Sequence, residues 1–110
     1  MELLVIFLYA REHLEKIASL LVEVGVTEAT ITEGQALGQF LAFEVPIFAG
    51  LRQLVGEKRR HATTILAVVE DEKKVDALIR LLRDEGIDFT QPGTGVILSL
   101  PIKRSVLSEE

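Results

Sequence analysis

The sequence predicts an α+β domain of βαββαβ type: a four-stranded antiparallel sheet with two helices on one face, plus a short C-terminal strand. Three observations point to it. The chain superimposes on itself without a gap: with Gly25 laid on Gly86, Leu20-Leu21 falls on Leu81-Leu82, Leu14 on Val75, Ile17 on Leu78, and Leu4–Leu8 on Ile65–Val69. Each copy runs through the same order of features, from an apolar run to an amphipathic helix, a glycine stop and a second strand. Finally, 110 residues make one domain, because two independent halves would each be too small to fold on a core alone.

The elements follow in order. Leu3–Leu8 is continuously apolar, as a central strand should be. Leu14, Ile17, Ala18, Leu21 and Val24 recur at helical spacing and make one buried stripe, ended by Gly25. Ala29–Glu33 alternates, as an edge strand does. In the second copy, Ile65–Val69 is the other central strand. Asp71 then caps a helix with Glu72 in its first turn, and Val75, Leu78, Ile79 and Leu82 form the stripe ahead of Gly86. Ile87–Thr90 is expected as the second edge strand. Val96–Leu100, stopped by Pro101, is expected as the additional strand. Right-handed crossovers set the central strands side by side.

Composition narrows the function. Twelve Lys and Arg against 17 Asp and Glu leave a net charge of −5, which argues against non-specific binding to nucleic acid or anionic membrane. The absence of cysteine excludes disulfides, zinc-thiolate sites, Fe–S clusters and a catalytic thiol. Apolar residues make up 48% of the chain and the mean hydropathy is +0.32. That is rich for so small a domain, so part of the apolar surface is expected on a protein–protein interface. The run from Leu3 to Ala10 has no basic leader and is followed by Arg11-Glu12. It is expected to be neither a signal peptide nor a membrane span, and the chain to be a cytoplasmic, obligate oligomer.

The duplication leaves two segments unexplained, and function is expected there. The linker from Gly34 to Thr63 exceeds the about 15 residues that compact domains usually tolerate in a loop. Its first half, Phe40–Phe48, holds three of the five Phe residues, so the composition is not that of disorder. Ala49–Val55 can form a turn or two of helix after Pro46. Lys58, Arg59, Arg60 and His61 close the linker as candidates for contact with an anion or a partner. The tail opens with Gly93-Thr94-Gly95, a turn whose backbone N–H groups suit phosphate oxygens.

Enzyme chemistry is disfavoured. His13 and His61 stand in no metal-binding pattern, and a metal shared by His61 with Glu33 or Glu44 has little support. Ser19, Ser99, Ser105 and Ser108 lack a nucleophile elbow. Arg11 follows the first strand, where a phosphate cradle would need a glycine loop, but Glu12 comes next. RNA binding on the sheet would need stacking aromatics on both central strands, and only Phe7 and Tyr9 are present.

Three stretches give the chain a resemblance to the PII signal-transduction family, the trimeric nitrogen-regulatory proteins. Thr30-Ile31-Thr32-Glu33 running on to Leu37-Gly38 is similar to the T-V-T-E…F-G that leads into that family's long T-loop. Gly93-Thr94-Gly95 is similar to its G-D-G turn, and Leu100-Pro101-Ile102-Lys103-Arg104 to its L-P-V-E-R. The resemblance spans nearly the whole chain, with a T-loop-like insertion at about 34–62. It implies a homotrimer that holds a small anionic effector, ATP or ADP, in clefts between subunits and reports it to a target protein through the loop. Carried over by position, Gly38 and Gln39 lie at the loop base, Gly93, Thr94 and Gly95 at the phosphates, and Lys103 and Arg104 in the same cleft.

The sequence also departs from the family. Val96 stands where the family has Lys, and Leu107 and Glu109 where it has Arg. Each missing charge-assisted contact is worth about 1.5–3 kcal/mol. Gln39-Phe40 replaces the family's Arg-Gln, and the loop carries no Tyr. The other expectation is a CutA-like trimeric metal-tolerance protein or a purely structural oligomer. An effector role further requires that the insertion and the glycine turn meet at one side of the molecule.

Overall fold

The computed structural model describes residues 1–26, 28–51 and 61–107. Strand β1 (Glu2–Leu8) leads through a 3-10 turn (Arg11–His13) into α1 (Leu14–Glu23), followed by β2 (Ala29–Gly34). The insertion contributes α2 (Leu37–Glu44) and a 3-10 segment (Pro46–Leu51). Strand β3 (Ala62–Val69), α3 (Glu72–Asp84) and β4 (Gly95–Pro101) complete the chain. The sheet order is β2-β3-β1-β4 and every neighbouring pair is antiparallel. This is a ferredoxin-like α+β sandwich, with α1 and α3 on one face. Among the described residues no helix is long and apolar enough to cross a membrane.

Alternation along the strands sorts the side chains. Leu4, Ile6 and Leu8 of β1 and Ile65, Ala67 and Val69 of β3 point under the helices. There they meet Ile17, Leu20 and Leu21 of α1 and Val75, Leu78 and Leu82 of α3 in one core. Each fully buried Leu or Ile contributes about 1.5–3 kcal/mol.

The duplication is legible down to the hydrogen bonds. After α1, Gly25 N–H donates to the Val22 carbonyl at 3.0 Å and Val26 N–H to that of Leu21 at 2.9 Å. After α3, Gly86 N–H donates to Arg83 at 3.0 Å and Ile87 N–H to Leu82 at 2.8 Å. Both ends are Schellman motifs with a left-handed glycine, at φ 90° and 83°, and a buried apolar residue next, Val26 or Ile87. The helix starts differ. Asp71 accepts from the Lys74 N–H at 3.0 Å, a cap worth about 1 kcal/mol, while α1 begins from a 3-10 turn with no side-chain cap.

Two expectations about elements are corrected. Ile87–Thr90 is not a strand, because Asp88 Oδ1 accepts from both the N–H (2.9 Å) and the hydroxyl (2.6 Å) of Thr90. That local bond turns the backbone away from a ladder. The fourth strand of the sheet is instead the one expected as an addition, and it pairs with β1 from Gly95↔Leu8 to Pro101↔Glu2. Within the insertion, Leu37–Glu44 is helical, and the turn expected at Ala49–Val55 begins earlier, at Pro46, as 3-10 helix. Residues 52–55 lie outside the described residues.

Candidate functional site

The insertion leaves from Gly34 and returns at Ala62, which are cross-strand partners at one end of the sheet. At the same end, the Thr94 carbonyl accepts from the N–H groups of Tyr9 (3.0 Å) and Ala10 (3.3 Å), tying the glycine turn to the end of β1. Thr94 is buried. Gly95 has a structural reason of its own. Its φ is 144°, and a Cβ there would overlap the Phe7 carbonyl, so only glycine lets β4 approach β1 this closely.

A charged group closes this end. Arg11 Nη2 lies 3.1 Å from Glu33 Oε1, and the Thr63 hydroxyl donates to Glu33 Oε2 at 3.0 Å. The pair is half exposed, worth at most about 1 kcal/mol, but it ties the helix approach to the last turn of β2. Sequence reasoning placed Arg11 after the first strand without a partner. The partner stands across the sheet, and nothing in local spacing signals it.

Across the sheet from this group, on the face away from α1 and α3, lies a hollow of about 270 Å³ lined by Phe7, Tyr9, Gly34, Gln35, Leu37 and Thr64 among others. Gly38 and Gln39 sit in the first turn of α2, with Gln39 buried. Outward from them, α2 and the 3-10 segment expose Leu37, Phe40, Ile47 and Phe48. The helix had a readable stop signal in Pro46, two residues past Glu44.

The sequence-derived residues therefore divide into groups. Gly38, Gln39, Gly93, Thr94 and Gly95 gather at the insertion end of the sheet. Lys103 and Arg104 do not join them within one chain. They follow Pro101, at the opposite end of β4, and seven residues at about 3.3 Å each put them roughly 20 Å away. His61 is exposed immediately before β3, while Lys58, Arg59 and Arg60 lie outside the described residues. Among the described residues, no three His, Asp or Glu side chains converge on a point that could hold a metal ion.

The open sheet face is the other feature of the site. It carries Leu3, Val5 and Phe7 flanked by Leu66 and Val68 of β3 and Val96, Leu98 and Leu100 of β4. Phe7, Leu66, Val96, Leu98 and Leu100 are each 37–50% exposed. These side chains lie in register across three neighbouring strands and leave apolar surface open to solvent. No protein-family model matches the chain, and no curated protein sequence does.

Proposed function

We propose that this chain is a PII-like regulatory protein. It forms a homotrimer, binds a small anionic effector such as ATP or ADP in clefts between subunits, and signals to a partner protein through the 34–62 insertion. The observation that carries the reading is the convergence of the insertion's two ends and the Gly93-Thr94-Gly95 turn at one end of the sheet. The open apolar face supports assembly, since copies packed through it would remove Leu66, Leu98 and Leu100 from water. Assembly also supplies what one chain lacks, because Lys103 and Arg104 of a neighbouring copy can reach the insertion end that they cannot reach in their own chain. The exposed side chains of α2 and the 3-10 segment are the surface offered to the partner.

Light scattering combined with a thermal-shift titration tests this. The expected result is a trimer whose melting temperature rises with ATP or ADP, as binding to the native state requires, with the rise reduced in Arg104→Ala. Deleting residues 40–60 should leave the trimer folded. A monomer at micromolar concentration, or stabilisation by copper or zinc with no response to nucleotide, would overturn it.

A further inference from the structure

A larger hollow, about 390 Å³, lies at the β4 edge of the sheet, across from β2, between α3, the start of β4 and the segment from Ile87 to Thr90. It exists because that segment fails to become a strand. Asp88 holds Thr90 by two bonds to one carboxylate oxygen, which bends the chain away from the outer edge of β4 and leaves the space beside it unfilled. The volume is at the lower end of the about 300–1,000 Å³ typical of small-ligand sites.

The lining is amphipathic in an ordered way. Ile79, Leu82, Phe89 and Ile97 give an apolar floor continuous with the core. Charge enters at the mouth only, as Arg83 from the last turn of α3 and Asp88 from the turn. The two residues face the same hollow, yet the ion pairs among the described residues do not include Arg83. The Thr90 bonds, with smaller contributions from Gln91 and Arg83, hold the Asp88 carboxyl below its ordinary range, so it is an anion at neutral pH. A separated cation and anion above an apolar floor complement a ligand that carries both charges on one carbon and a hydrocarbon side chain below.

We infer that this hollow binds a hydrophobic α-amino acid, its carboxylate on Arg83, its ammonium on Asp88 and its side chain against Ile79, Leu82, Phe89 and Ile97. The site lies within one chain and borders the proposed effector site at Gly95, but it needs neither a neighbouring copy nor a nucleotide.

Calorimetric titration of the full-length protein with L-leucine and L-phenylalanine tests it. One saturable site per chain is expected. Arg83→Gln, a change at an exposed position, should weaken binding about tenfold or more, the effect of losing one charge-assisted contact. Arg80→Gln, on the same helix but off the hollow, should leave it unchanged. Ile97→Trp should fill the floor and abolish binding; if that variant does not fold, Arg83→Gln still decides. Hydrocinnamate and phenethylamine, each lacking one of the two charges, should bind more weakly than phenylalanine. The inference is overturned if neither amino acid binds at millimolar concentration, if Arg83→Gln binds as wild type, or if hydrocinnamate matches phenylalanine.

Discussion

Leu4, Ile6 and Leu8 on one side of β1 are sealed beneath α1 and α3, while on the other side Phe7 shares a face with Leu66, Leu98 and Leu100, all half exposed around a buried Val5. The two faces are chemically alike. What separates them is the connectivity, because both crossover helices pack on the same side. The excess apolar content of the composition sits partly on this uncovered face, which the proposed assembly would cover.

Substitutions can break or sharpen this contrast. The largest effect is expected on the covered face. Ile6→Ala should cost about 2–5 kcal/mol in chemical denaturation. On the open face, Leu98→Asp should leave the protomer's own stability nearly unchanged but convert the assembly to monomer, measured by sedimentation. An equal loss of protomer stability in the two variants would erase the distinction.

The smallest effect concerns pH. The Asp88 carboxyl titrates below its ordinary value in the folded chain, chiefly through the Thr90 bonds. Its contribution is therefore complete above the ordinary carboxylate range and lost as pH falls through the lowered folded value. Melting curves of Asp88→Asn should differ from wild type at neutral pH and converge with it in acid.

Much of the architecture could be read from the residues alone, for reasons visible in the hydrogen bonds. Gly25 and Gly86 mark equivalent helix ends because each is the left-handed residue of the same motif, and Asp71 announces the α3 cap. Where the reading failed, a side chain competed with the backbone. Ile87–Thr90 has a strand's composition, but Asp88 takes the hydrogen bonds for a turn. Helix α2 was obscured because apolar residues surround it and no side chain caps its start. At the candidate site, the glycine turn was legible as a local motif. The Arg11–Glu33–Thr63 group was not, since Glu33 and Thr63 lie 30 positions apart and meet only through strand pairing.

Gly34 and Ala62 face each other across a single strand pair, so the excursion between them begins and ends about 5 Å apart. To the sheet, everything beyond that gate is equivalent to a hairpin connection of arbitrary length, and lengthening it carries only a slowly growing entropic cost. The excursion is thus a cassette: its sequence can be exchanged, shortened or grafted onto another scaffold with a matching strand pair, while the sheet beneath keeps its register.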